Sequence, residues 1–178
     1  MAIKATVVKS HLSVADMDRH HYADYELTWA MHPSETPRRF MVRLIAFALN
    51  AHEDLQMGKG LCVDDEPELW IKDLSDNIEL WIDLGQLDEK WLRKASGRAN
   101  QVQLYCYGGG AVGPWWKTIE SKLSRFDNLS VWQIDEADAD AAAQLFERGM
   151  RLSASIDQGS LCLSNETDTV WLTPTRLK

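Results

Sequence analysis

The stretch Glu66-Pro67-Glu68-Leu69-Trp70-Ile71-Lys72-Asp73-Leu74-Ser75-Asp76-Asn77-Ile78-Glu79-Leu80-Trp81-Ile82-Asp83-Leu84-Gly85-Gln86 decides how this chain folds. Two runs within it, residues 67–74 and 78–85, have near-identical centres, Glu68-Leu69-Trp70-Ile71 and Glu79-Leu80-Trp81-Ile82, written in β-favouring letters. They predict two adjacent strands joined through Ser75-Asp76-Asn77, one hairpin rather than the start of a solenoid. Side chains two apart on a strand share a face. Leu69, Ile71, Leu80, Ile82 and Leu84 therefore go to the core, while Glu68, Trp70 and Lys72 lie opposite, as do Glu79, Trp81, Asp83 and Gly85. Taking Asp76-Asn77 as a two-residue turn pairs Trp70 with Asp83, Lys72 with Trp81 and Glu68 with Gly85. Glu68 and Lys72 are then diagonal neighbours of Asp83, at roughly 7–8 Å. Two carboxylates and an ammonium converge, which is the oxygen-rich setting Mg2+ takes, with a lysine to orient a water. The same pattern also describes a half-exposed sheet face with a cross-strand ion pair, since ion-pair networks imitate sites.

Upstream, residues 3–14 and 20–31 read as a hairpin about the Asp16-Met17-Asp18 turn. Ser34 is placed to cap a helix with Pro37 in its first turn, and Phe40, Leu44, Phe47 and Ala48 recur at helical spacing to about Asp54, before Gly58 and Gly60. Downstream, the pattern predicts a charged helix over 88–99, a strand over 101–107, a glycine-rich loop, a helix over 114–126 and a strand over 129–134. A helix over 137–150 and three strands over 152–156, 160–163 and 169–173 follow. The order is that of an α/β (α+β) protein with a mixed central β-sheet flanked by helices and extra strands at both ends.

The chain has 178 residues, 45% hydrophobic and 26% charged, ordinary proportions for a single domain over residues 1–178. Its longest apolar stretch, around residues 44–49, is far short of the ~18 a membrane span needs, and residues 1–10 hold no signal-peptide core. Cys62, Cys106 and Cys162 are odd in number and widely spaced, which points to reduced thiols in a cytoplasmic protein. With 19 Lys+Arg against 27 Asp+Glu the formal net charge is −8, so broad capture of nucleic acid or anionic membrane is disfavoured and any phosphate contact is local.

Long runs of this sequence resemble the YaeQ family. They are Asp65-Glu66-Pro67-Glu68-Leu69-Trp70-Ile71-Lys72-Asp73-Leu74, Ile78-Glu79-Leu80-Trp81-Ile82-Asp83-Leu84-Gly85-Gln86 and Asp88-Glu89-Lys90. The likeness continues through Ala15-Asp16-Met17-Asp18-Arg19, His32-Pro33-Ser34-Glu35-Thr36 and Arg43-Leu44-Ile45-Ala46-Phe47-Ala48-Leu49-Asn50-Ala51, over essentially the whole chain. The resemblance implies a bacterial protein with a variant PD-(D/E)XK, restriction-endonuclease-like fold and a role loosely linked to transcription, with the transcription machinery as a possible partner. That nuclease pattern needs an acid on one strand, then an acid and a lysine two apart on the next, often helped by a glutamate from the preceding helix. Glu68, after Pro67, and Asp83 match the two acids that would hold Mg2+, and Glu53 is the candidate helix acid. Gly85, followed by Gln86, stands where the lysine belongs, so the site candidates extend to Gln86 and to Lys90, Lys94 or Lys72 as substitutes.

Lys90, Lys94 and Arg98 also repeat at four-residue spacing along one helix face, a stripe fit for local phosphate contact or simply a solvated face in which Glu89 pairs Arg93. Gly108-Gly109-Gly110-Ala111-Val112-Gly113 matches GxGxxG after a strand, with Asp135 placed for a ribose. Against a dinucleotide stand Pro114, the crowding Trp115-Trp116, and the polar row Gln101, Gln103, Tyr105 and Tyr107, which reads unlike a buried parallel strand. His20 and His21 point to opposite faces and cannot chelate together, His52 sits at a helix end, and the tryptophans read chiefly as packing. Three functions follow: a metal-dependent phosphodiester hydrolase or nucleic-acid binder, a non-catalytic transcription-associated factor on a degenerate nuclease fold, and a dinucleotide-binding enzyme.

Overall fold

A hairpin of β1 (Thr6–Asp16) and β2 (His21–Met31) opens the chain, followed by α1 (Pro37–Leu49), β3 (Leu55–Met57), β4 (Leu69–Lys72) and β5 (Ile78–Leu84). Then come α2 (Glu89–Arg98), β6 (Ala99–Cys106), α3 (Val112–Leu123), β7 (Leu129–Gln133), α4 (Glu136–Ala143), β8 (Gly149–Asp157), β9 (Ser160–Ser164), β10 (Thr169–Leu172) and β11 (Thr175–Arg176). This computed structural model describes residues 4–59 and 65–178; Ile3, Gly60 and Cys62, which figure in the sequence reading, lie outside the described residues.

The mixed α+β class is as predicted, but the strands form two sheets instead of one. One has the order β10-β9-β8-β1-β2 and the other β11-β7-β6-β5-β4-β3. The extra terminal strands are what make the first sheet: β8 lies parallel to β1, so the end of the chain returns to pair with its beginning. In the second sheet β5, β6 and β7 run parallel, linked by α2 and α3 as crossovers, while β4 and β3 on one side and β11 on the other are added antiparallel, with β3 and β11 at the edges.

The hydrophobic pattern explains the stacking. β8 alternates strictly, burying Met150, Leu152, Ala154 and Ile156, and β1 turns Val8, Leu12 and Val14 the same way. α1 is buried on every side from Phe40 to Ala48, the signature of a helix enclosed within a core, here one shared by both sheets and α4. The other face of the second sheet, with Ile78, Trp81, Val102 and Leu104, is covered by α2 and α3 through Leu92, Ala95, Ile119 and Leu123. No helix among the described residues is long and apolar enough to cross a membrane.

Several local expectations need correcting. The cap of α1 is Thr36, whose hydroxyl accepts from the Arg39 amide, and the helix ends at Leu49, so Glu53 is an exposed turn residue rather than the helix acid. The β4–β5 connection is not a two-residue turn: Asp73 accepts from the Ser75 and Asn77 amides and Asp76 takes a left-handed φ of 65°. The register therefore pairs Trp70 with Trp81 and Leu69 with Ile82, two residues from the expected pairing, with a bulge at Ile71/Lys72. A two-residue slip preserves the faces, which is why the core assignment survives. β6 is parallel-paired on both sides despite its polar row, contrary to the expectation drawn from its composition. α4 stops at Ala143, and Gly109–Ala111 forms a 3-10 turn leading into α3 at Val112.

Candidate functional site

The carboxyl ends of β5 and β6 meet the first turn of α1 and the head of β4, the kind of strand-end crevice that open parallel sheets offer to ligands. β5 contributes Asp83, the head of β4 contributes Glu68, and β6 runs on to Tyr107. The sequence before and along α1 supplies Glu35, Arg39 and Arg43. Glu35, Arg43, Glu68 and Asp83 are 6%, 3%, 7% and 5% exposed, a concentration of charge that a core tolerates only when the groups are paired.

Pairing is what the geometry shows. Arg39 donates to Glu35 Oε1 at 2.9 Å and to Glu68 Oε1, while Arg43 donates to Glu35 Oε2 at 2.9 Å and to the Ala30 carbonyl at 3.2 Å. Arg43 Nε and Glu68 Oε2 face each other at 4.0 Å, and both are buried without a closer partner among the described residues. The carboxylate of Glu68 is thus held by guanidinium groups. Arg39 and Arg43 were the residues sequence reasoning missed; their signal was a pair of arginines four apart, on one face of a helix whose other residues from Phe40 onward are apolar.

Asp83 takes different partners. Its Oδ2 accepts from the indole nitrogens of Trp81 and Trp91, each at 2.6 Å, and its Oδ1 accepts from the Glu68 amide at 3.3 Å. Burial pushes this carboxyl up to about 6, against the two indole donors, with the nearby Glu68 charge adding to the rise. The placement of Trp81 on the Asp83 face is as the alternation predicts. Glu68 and Asp83 are adjacent through the Glu68 backbone, yet each carboxylate is dressed by protein donors rather than left open.

The remaining candidates disperse. Gln86 donates to the Tyr107 carbonyl at 2.6 Å, fastening the β5 and β6 ends together after Gly85, whose φ is 92°. Lys72 lies over the Trp70 ring at 3.9 Å. Lys90 is exposed on α2 and lines a surface cleft of about 530 Å3 with Trp91, Arg93, Lys94, Asp65 and Asp88. Lys94 pairs with Asp65, and Arg98 donates to the Asp65 carbonyl at 2.8 Å, so two members of the basic stripe are engaged with the chain itself. Glu53 lies in a turn beyond the far end of α1, whose last residue, Leu49, is itself about 15 Å along the helix from Arg39.

The glycine loop is closed differently from a dinucleotide fingerprint. A Cβ on Gly109 would fall 2.0 Å from Glu136 Oε2, so a carboxylate rests where a pyrophosphate would lie, and Arg38 pairs with Glu136 and Asp140 beside it. On the outer face of the first sheet, Ser13, His11 and Glu26 line up in hydrogen-bonding order. The Ser13 hydroxyl is 3.4 Å from the ring, Glu26 is exposed, and the neighbouring β1 amides belong to the ladders with β2 and β8, which leaves no donors for an oxyanion. Among the described residues, no group of three or more His, Cys, Asp or Glu side chains is arranged to hold a metal ion, and Cys106 and Cys162 are free thiols.

The model of the family described as YaeQ protein matches residues 1–174. The chain is 42% identical to the YaeQ protein of Escherichia coli (strain K12) and 41% identical to that of Salmonella typhi, covering 98% of this chain and 99% of each relative. It is also similar to the crystal structure of YaeQ protein from Xanthomonas axonopodis pv. citri, with a TM-score of 0.96 at 43% identity over 98% of this chain and 99% of that one. The crystal structure of YaeQ protein from Pseudomonas syringae gives 0.93 at 29% identity over 98% and 96%. With its whole described fold and nearly its whole sequence matched in this way, the chain belongs to the YaeQ family.

Proposed function

We propose that this chain is a non-hydrolytic binding protein built on a nuclease-like core, one that holds a phosphate-bearing strand at the α2 edge without cutting it. The observation that carries the reading is the state of the two acids: Glu68 is bound by Arg39 and faced by Arg43, and Asp83 is capped by two indoles. Mg2+ demands open oxygen ligands in near-octahedral geometry. Seating it here would require displacing a guanidinium and two N–H donors, and no lysine stands two residues beyond Asp83, so the donor set does not fit the ion. The resemblance to restriction endonucleases then describes the layout, not a reaction.

Contact with nucleic acid is local in this reading. Lys90 and Arg93 project from α2 beside the Trp91 indole, giving a cationic edge with an aromatic wall, while the −8 net charge supplies no long-range attraction. Association with the transcription machinery belongs to the same reading and rests on the resemblance alone. The metal-dependent hydrolase is the second reading, favoured by the burial that pushes the Asp83 carboxyl up to about 6, towards the range in which a general base works.

Fluorescence anisotropy with a short labelled single-stranded oligonucleotide tests the first reading, alongside incubation of the same substrate with Mg2+ or Mn2+. The expected result is salt-sensitive binding that Lys90→Ala weakens, with the substrate intact. Cleavage that Asp83→Ala abolishes while folding persists would overturn it in favour of the hydrolase.

A further inference from the structure

A second cleft, of about 270 Å3, opens where the two sheets meet the carboxyl end of α1, at the opposite end of that helix from Arg39. Its floor is Gln103 and Tyr105 of β6, and Leu49, Trp132, Ile156 and Pro174 give it apolar walls. The polar row of β6 acquires a purpose here. A strand parallel-paired on both sides is ordinarily apolar, and hydroxyl and amide groups on its inner face are unfavourable unless each finds a partner.

Tyr105 finds two: its hydroxyl accepts from Asn50 Nδ2 and donates to Gln103 Oε1, each at 2.8 Å. The network stops at the cleft. Among the described residues, Gln103 Nε2 and Asn50 Oδ1 have no protein partner, and neither has the Nη2 group of Arg19. Arg19 is nevertheless fixed in place: its Nε donates to Asp16 at 2.7 Å and its Nη1 to the Ala51 carbonyl at 2.9 Å. The rim is preformed as well, because Asp18 accepts from the Gln158 and Gly159 amides and ties the β8–β9 turn to the β1–β2 turn.

We propose that this cleft binds a small, uncharged, planar heteroaromatic molecule of the nucleobase type. Its flat body suits the indole and aliphatic walls, and its edge needs both acceptors, for Arg19 and Gln103, and a donor, for Asn50. The charge balance argues against a phosphate: Asp16 and Asp18 stand against the single guanidinium of Arg19, beside the negative end of the α1 dipole. The inference goes beyond the proposed strand-binding function and does not depend on it, since that reading concerns the α2 edge and this one the seam between the sheets.

The test follows the indole N–H resonance of Trp132, located by its loss in Trp132→Phe, while adenosine, cytidine and uridine are titrated separately, each beside its 5′-monophosphate. At least one nucleoside is expected to shift that resonance saturably at up to about 10 mM, the weak end of specific binding, and its monophosphate to bind more weakly. Gln103→Glu keeps the acceptor that Tyr105 needs while removing the amide donor, and should lower affinity about ten-fold with an unchanged thermal melt. Gln103→Leu should lower affinity likewise, with a lower melt because the buried Tyr105 hydroxyl loses its acceptor, and its binding is compared at a temperature where the melt shows it folded. No saturable shift at Trp132, equal binding by both folded Gln103 variants, or tighter binding of the monophosphate would each overturn the proposal. A shift confined to the Trp91 indole would also overturn it, while leaving the α2 reading intact.

Discussion

Arg39, in the first turn of α1, donates to the carboxylate of Glu68 at the head of β4, bonding residues from elements that are 29 positions apart in sequence. The bond stitches the helix to the second sheet at the same place where the site was expected to be open. Removing the guanidinium while leaving the acid would strand a buried charge. Arg39→Met is therefore expected to destabilise the protein by roughly 3 kcal/mol, the scale seen when one partner of a buried pair is deleted. Adding Glu68→Gln should recover part of that loss, and urea midpoints of the two single variants and the double variant measure the coupling. Strict additivity would show that the pair does not act as a unit.

The Asp83 carboxyl makes stability fall as pH rises. Its folded value of about 6 lies above the ordinary carboxylate value of 3.8, so between those limits the folded protein binds more protons than the unfolded chain. Below the lower limit both states are protonated and the site carries no penalty; above the upper one, the buried anion costs on the order of 3 kcal/mol. Asp83→Asn retains an acceptor for the indoles and should remove this slope, becoming more stable than the parent at neutral pH. Denaturation of both proteins in parallel from pH 4 to pH 7.5 checks it through the difference between the two curves; parallel curves would refute it.

Strict alternation made the strand faces legible in the sequence. Leu69, Leu80, Ile82 and Leu84 are in the core, as the alternation required, and Trp81 and Asp83 share the opposite face. The register was not legible, because it depends on how Asp73 folds its side chain back onto the Ser75 and Asn77 amides, a local bond that the turn letters leave open. Likewise the division into two sheets arises from the pairing of β8 with β1, a contact between residues about 140 apart, and no local periodicity encodes such a partner. At the site, the two acids meet through the Glu68 amide, which donates to Asp83 Oδ1, while their carboxylates take separate partners, arginines of α1 for Glu68 and the Trp81 and Trp91 indoles for Asp83. The partners of Glu68, Arg39 and Arg43, were hidden because an arginine on α1 reads as a surface residue.

Gly109 offers a test of how the glycine loop is closed. Its φ of 57° disfavours any side chain, and a Cβ would press on Glu136. Gly109→Ala should lower stability by roughly 1–3 kcal/mol, the cost of a non-glycine residue held in a sparsely populated backbone region plus the contact. Combining it with Glu136→Ala removes the clash with the carboxylate but keeps the Glu136 Cβ at 3.2 Å and the strained φ, so thermal melts should show partial recovery. Full recovery would assign the whole effect to Glu136, and none would assign it to the backbone.

The α2 edge makes the sharpest prediction about binding, because salt dependence counts phosphate contacts whatever the sequence bound. For a single strand, the slope of log affinity against log salt is about −0.7 per neutralised phosphate. Lys90 has no protein partner among the described residues, so Lys90→Ala should weaken oligonucleotide binding uniformly across sequences and reduce the slope by about 0.7. Lys94 differs, because it already pairs with Asp65. Removing it exposes the Asp65 carboxylate to the strand, and Lys94→Ala should weaken binding through repulsion even where the native lysine contacts no phosphate. The double variant Lys94→Ala with Asp65→Asn separates the two effects: near-parental affinity means Lys94 serves to mask Asp65, and a persistent loss with a reduced slope means it touches the strand. Lys178→Ala, far along the chain from α2, is the control and should leave both affinity and slope unchanged. If Lys90→Ala and Lys178→Ala behave alike, the strand does not lie on α2 and the proposed function fails at its binding surface.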